Sequence, residues 1–205
     1  MLTPSSNTCA NKVRAADVEE IVALLRAKRE EKNDFSKPFV VVIDGRCAAG
    51  KTTLAAILAE ELDAPCIHTD DFFLRPEQRT KERYSEAGGN LDRERFFSEV
   101  ISNIGRDFCY YPYLFKSMTL GEKVCIHRSE FLVVEGAYSL HPSFGKYYDY
   151  AIFADVSSET QESRILKRNG KDALAVFRER WIPMEEKYFL TFDIKEVCDR
   201  TVTAE

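Results

Sequence analysis

The sequence predicts an α/β fold with a mainly parallel sheet of about five strands, on three observations. Short unbroken apolar runs, FVVVI (39–43), FLVV (131–134) and YAIFADV (150–156), have the length and β-branched content of strands buried on both faces. Helix-period apolar spacing alternates with these runs. The chain has 205 residues, 44% of them hydrophobic and 31% charged, which suits one well-buried domain.

The elements follow in order. Residues 1–12 are polar, lack the apolar stretch of a signal peptide and read as a frayed end. Asp17 followed by Glu20 has the form of a capping box. Val18, Ile21, Val22 and Leu25 then share one helical face, so a first helix is predicted to end near residues 32–34, within an N-terminal extension over 1–36. Pro38 introduces the FVVVI strand. Leu54, Ile57, Leu58 and Leu62 mark a helix that Pro65 closes, and PCIHT is a second strand ending at Asp70-Asp71. Residues 74–95 are the most polar stretch and predict an exposed, mobile excursion with a turn at Gly88-Gly89. FFSEVISNI predicts a helix and 109–130 a β-excursion. Helices are expected between and after the last two strands, the clearest from Ser158-x-x-Gln161 to a stop at Gly170.

Composition excludes several classes. The net charge is −5 with acids and bases interspersed, so no basic patch points to a nucleic-acid partner. No run approaches the roughly 18 apolar residues that a membrane span needs. A cytoplasmic protein is the expectation. Six cysteines are scattered without a C-x-x-C pair and read as reduced, mostly structural thiols. Cys47, beside a helix start, is expected to have a lowered pKa. His68, His127 and His141 are too dispersed for a metal site, and Trp181 reads as a packing anchor.

Between the FVVVI strand and the helix that follows lies Gly45-Arg46-Cys47-Ala48-Ala49-Gly50-Lys51-Thr52-Thr53, which fits G-x-x-x-x-G-K-[ST] at every fixed position. Such a loop turns backbone N–H groups inward as an anion nest and adds the positive end of a helix. Four fixed positions arise by chance in roughly one chain of this length in a hundred, and the strand before and helix after make chance rarer still. The loop predicts nucleotide-phosphate binding, with Lys51 reaching the β- and γ-phosphates and the Thr52 hydroxyl helping to hold Mg²⁺.

Three further features bear on what becomes of the phosphate. Asp70 ends a strand, where the ligand crevice of a parallel sheet lies, and could accept a proton or serve magnesium; the plainer reading of Asp70-Asp71 is a turn or helix cap. Glu135 directly follows FLVV and could orient a magnesium-bound water, or be an ordinary strand end. Arg164 and Arg168 lie four apart on one helical face and could neutralise a transferring phosphoryl group, or be a solvated basic face. Phe72, Phe73, Phe96 and Phe97 read as core and pocket wall rather than a base-stacking platform.

GRCAAGKTT (45–53), DDFF (70–73), GGNLDRERF (88–96), YYPYLF (110–115), VVEG (133–136) and RILKRNG (164–170), in this order and spacing, resemble the uridine kinase and phosphoribulokinase-like family of P-loop kinases, which includes pantothenate kinase. The resemblance spans roughly residues 38–190, and ERWIPMEEKYF (179–189) looks like the tail of bacterial uridine-kinase-like proteins. It implies a single P-loop NTPase domain, a three-layer sandwich, with an acceptor-binding excursion at 74–130 and lid-like helices at 160–182. It implies that Asp70 activates the acceptor hydroxyl, that Thr52 and Glu135 serve Mg²⁺, that Asp92 holds acceptor hydroxyls, that Tyr113 and Phe115 line the acceptor pocket, and that Arg164 and Arg168 close over ATP. Closure keeps water from the phosphoryl group. The sequence departs from the nucleoside kinases at Leu114, where they carry an acid, at 116–120, where their pyrimidine-reading histidine has no counterpart, and in a shorter, less arginine-rich lid.

The reading is an ATP-dependent phosphotransferase acting on a hydroxyl of a small acceptor, a nucleoside first, a sugar or pantothenate-like alcohol behind. A nucleotide switch or regulatory ATPase is the rival. The Asn-Lys-x-Asp element of guanine-specific GTPases is not matched by Asn169-Gly-Lys-Asp172.

Overall fold

The computed structural model describes residues 15–204. The frayed end expected over 1–12 lies outside the described residues. Helix α1 (Ala15–Glu31) carries Asp17 inside its first turn rather than as its cap, and buries Val18, Ile21, Val22 and Leu25 as their spacing requires. Strand β1 (Phe39–Gly45) is buried at every residue and leads through the glycine-rich loop into α2 (Lys51–Glu61). Strand β2 (Cys66–His68) runs into a 3₁₀ turn, Thr69–Phe72, that holds both aspartates.

The 74–95 excursion differs from expectation. It holds a 3₁₀ turn at Pro76–Gln78, helix α3 (Lys81–Ser85) and the start of α4 (Arg93–Glu99). Residues 88–92 are buried rather than exposed. Arg83 draws the segment together by donating to the Leu91 carbonyl and to both Glu94 oxygens, and this multiple pairing is what polarity alone conceals. The β-excursion forms as two small antiparallel pairs, β3 (Phe108–Tyr110) with β6 (Val124–Ile126), and β4 (Tyr113–Leu114) with β5 (Thr119–Leu120). Register places Cys109 opposite Cys125, and the two form a disulfide. The expectation of six reduced thiols fails here because antiparallel pairing joins cysteines 16 residues apart, a distance no local motif encodes.

Strands β7 (Phe131–Glu135) and β8 (Tyr150–Asp155) are joined by a loop whose one helical piece is a 3₁₀ turn, Pro142–Phe144, where a helix was expected. Helix α5 (Ser158–Asn169) is capped by Ser157, whose hydroxyl accepts from the Thr160 N–H, one residue before the expected cap, and it stops at Gly170. Helix α6 (Lys171–Val176) continues through a π-helical turn at Phe177–Trp181 into α7 (Ile182–Thr191). Helix α8 (Ile194–Val197) and strand β9 (Arg200–Thr203) complete the described chain.

The five-stranded sheet has the order β2-β7-β1-β8-β9, every pair parallel. Alternation splits the strands' side chains between two cores. Phe39, Val41, Ile43, Val133 and Ile152 pack against α1 and α2. Val40, Val42, Val134 and Phe153 face Phe96 of α4 and Tyr188 and Phe189 of α7. The result is the three-layer arrangement the sequence predicts. With β1 central and its chain neighbours going to both sides, the loop after β1 sits at the carboxyl edge where such sheets bind ligands. No helix among the described residues is long and apolar enough to cross a membrane.

Candidate active site

The glycine-rich loop forms one wall of a cleft of about 1020 Å³. Gly50, in the left-handed region at φ 88°, ends the loop and begins α2, so the helix N-terminus opens into the cleft. Lys51 folds back over the loop, its Nζ donating to the carbonyls of Gly45 (2.8 Å) and Arg46 (2.9 Å). Arg46 points away and pairs with Asp155 and Glu186, so of the loop side chains it is the one committed elsewhere.

Two strand ends deliver the acids. Glu135, the last residue of β7, is buried and accepts from the Thr52 hydroxyl at 3.2 Å. The same Oε1 lies 2.6 Å from Nδ1 of His68. An ionised carboxylate only accepts, so Nδ1 carries the proton, and this bond raises the His68 pKa. His68 was set aside in the sequence; its link to Glu135 follows from the β2–β7 register, which places the two directly opposite.

Asp70 and Asp71, adjacent in sequence, have different surroundings. Tyr110 donates to Asp71 Oδ2 at 3.0 Å. The Asp70 carboxylate accepts no hydrogen bond from any described residue and lines the cleft. The protein crowding it raises its pKa, while the charge of Lys51 acts in the opposite sense. Of the pair, Asp70 is the one available to a ligand.

Another part of the lining is cationic. Arg164, Lys167 and Arg168 of α5 line the cleft, with Arg164 Nη1 donating to the Ala48 carbonyl at 3.0 Å and Arg168 to the Asn169 side chain. Tyr113, Leu114 and Phe115, from the β-excursion, also line the cleft. Arg79 donates to the Tyr113 hydroxyl at 2.9 Å and so fixes that ring. Phe73 and Trp181 also line the cleft, while Phe72 and Phe96 are core and Phe97 is exposed.

Thus Cys47, Ala48, Gly50, Lys51, Thr52, Thr53, Asp70, Tyr113, Phe115, Glu135, Arg164 and Arg168 share one cleft. Gly45 and Ala49 shape the loop from behind and are buried. Asp92 is buried outside the lining: it caps α4 by accepting from the Arg95 N–H and accepts from Gln78 Nε2 at 2.8 Å, while Asn90, two residues earlier, reaches the cleft. Sequence reasoning missed Asn90, Lys167 and Glu185. Lys167, one helical turn from Arg164, could have been found from spacing; Glu185 carries no local signal.

Cys47 departs from expectation. Burial, and then the negative charge of Glu185, push its thiol pKa up instead of down, and these outweigh the field of Lys51. No group of three or more His, Cys, Asp or Glu among the described residues is arranged to hold a metal ion by itself.

No family model matches the chain. Among curated proteins it is similar to pantothenate kinases, at 28% identity to that of Streptomyces avermitilis (73% of this chain, 53% of the relative) and 28% to that of Paenarthrobacter aurescens (74% and 53%). The chain therefore spans about half the length of the curated relatives it matches. Among solved structures it resembles a possible uridine kinase from Bacillus stearothermophilus (TM-score 0.63, 18% identity, 90% of this chain and 98% of that one). A D-glycerate 3-kinase from Cryptococcus neoformans superposes with TM-score 0.62 at 13% identity, covering 84% of this chain and 88% of that one. In fold the chain is similar to solved P-loop kinases, and in sequence to part of the pantothenate kinases.

Proposed function

We propose that the protein transfers the γ-phosphoryl group of ATP to a hydroxyl of a small acceptor. The observation that carries this reading is the meeting, in one cleft, of the phosphate loop, the otherwise unbonded Asp70 carboxylate and the Arg164–Lys167–Arg168 wall. Lys51 exchanges its carbonyl partners for phosphate oxygens, and the cationic wall offsets charge on the transferring group. Asp70 takes the proton of the attacking hydroxyl. Thr52 and Glu135 present hard oxygen donors 3.2 Å apart, which fit Mg²⁺; when bound, the ion supplies charge neutralisation at the phosphates. Helix α5 and the segment to Trp181 act as the lid.

For the acceptor, the name of the curated relatives and Leu114, where nucleoside kinases carry an acid, favour a pantothenate-like alcohol over a nucleoside. The test is ADP release with Mg·ATP across nucleosides, sugars, glycerate and pantothenate, against an acceptor-free control. Stimulation by one alcohol is expected. Asp70→Asn should then lower that rate about 10²–10⁴-fold while ATP still binds. A flat panel, or an Asp70→Asn variant with full activity, overturns the reading and leaves a nucleotide-binding switch.

A further inference from the structure

Glu185 is the least expected polar group in the molecule. It lies on α7, only 6% exposed, and no lysine or arginine among the described residues pairs with it directly. Burying a carboxylate without a cation is costly unless hydrogen bonds replace water. Its backbone partner is the Cys47 N–H of the phosphate loop, which donates to Oε2 at 2.9 Å. From the other side Gln161, 3% exposed on α5, donates from Nε2 to the Cys47 carbonyl at 3.0 Å and to its sulfur at 3.3 Å. One turn along α5, Arg164 donates to the Ala48 carbonyl.

The middle of the phosphate loop is therefore gripped at both the N–H and the C=O of one residue, from α7 and from α5, the helix that carries the cationic wall. Loop geometry decides where the phosphate-binding N–H groups point, and a misplaced cradle loses binding. We propose that Glu185 and Gln161 are positioning residues for nucleotide binding: they hold Cys47 so that the loop is preformed for phosphate and moves with the lid that covers it. This rests on the reading that the loop binds ATP. Burial raises the Glu185 pKa, and an acceptor oxygen survives whether or not the acid is charged. The hydrogen bond, rather than the charge, is then what matters, and glutamine should replace it.

The test is titration of the full chain with the fluorescent analogue mant-ATP, alongside thermal unfolding. Glu185→Ala should bind about tenfold more weakly, and Glu185→Gln within about threefold of the wild type. Gln161→Met should weaken binding about threefold or more at an unchanged Tm. Wild-type affinity in Glu185→Ala or in Gln161→Met overturns the inference, as does a Glu185→Gln variant no better than Glu185→Ala. Should Glu185→Ala fail to fold, the other two variants decide. A wild-type chain that binds no mant-ATP overturns the nucleotide reading and this inference together, whereas wild-type binding with insensitive variants overturns this inference alone.

Discussion

Replacing Gly45 by alanine tests how the cradle is joined to the sheet. Gly45 closes β1 at φ +130°, where an L side chain is strained by about 1–3 kcal/mol. Its added Cβ would sit 2.1 Å from the Ala154 carbonyl oxygen and 2.7 Å from the Ala154 nitrogen, both backbone atoms of the paired strand β8. Backbone in the middle of a sheet cannot swing aside, so overpacking adds about 1–3 kcal/mol. The same Ala154 carbonyl accepts the Arg46 N–H at 3.0 Å, and displacing it forfeits about 1 kcal/mol more. The sum is about 3–7 kcal/mol, which at about 2–4 °C per kcal/mol for a chain of this size lowers Tm by on the order of 10–20 °C. Gly50 is the control: φ is +88° and nothing lies within 4 Å of its Cβ position, so only the conformational strain applies, and Tm should fall by about 3–8 °C. Thermal unfolding followed by circular dichroism measures both. Equal losses in the two variants, or a greater loss for Gly50→Ala, would refute the assignment of the close approach to Gly45.

Other outcomes follow from buried and bridged groups. Burial and the neighbouring Arg93 lower the His141 pKa to about 4, so the unfolded chain binds the extra proton first and stability falls as pH drops from about 6.5 towards 4. The Tm of wild type should decline more steeply over that window than that of His141→Gln; parallel curves would sink the assignment. Reducing Cys109–Cys125, which closes a loop of 15 residues, should cost up to about 3 kcal/mol, read as a lower Tm in reductant, and Cys109→Ser should abolish the response. Cys47, half-buried in the cleft lining with its thiol pKa raised, should react slowly with iodoacetamide at pH 7.5, with mass spectrometry after digestion reporting the modified sites; prompt alkylation there would contradict the raised pKa.

Much of this architecture could be read from local pattern. FVVVI, FLVV and YAIFAD announce parallel strands because a strand covered on both faces has no polar alternation to hide it. The glycine-rich loop is legible because its chemistry is backbone chemistry at fixed spacing. What escaped depends on pairs distant in sequence. His68 meets Glu135 through strand register, Cys109 meets Cys125 through a hairpin-like pairing, and Glu185 meets Cys47 across 138 residues. Asp92 was read through its resemblance to a hydroxyl-binding acid, yet its carboxylate is taken up by a helix start and by Gln78. The polar segment before it misled in a related way, since Arg83 and Arg93 pair with Glu94 and Glu86 and residues 88–92 fold inward.

The sheet order also has a consequence for biosynthesis. The central strand, residues 39–45, finds its partners at 131–135 and 150–155, and parallel pairing across such separations is slow because long stretches must be closed before any contact forms. During synthesis the FVVVI segment precedes both of its partner strands and stays apolar and unpaired until residues 131–155 have followed it, a condition that invites association with other nascent chains. The loop after β1 also waits for β8, because the Arg46 N–H donates to the Ala154 carbonyl of that strand. A chain released before residue 150 would carry every residue of the glycine-rich loop and strand β7 beside it, but not the β8 backbone against which Gly45 is fitted.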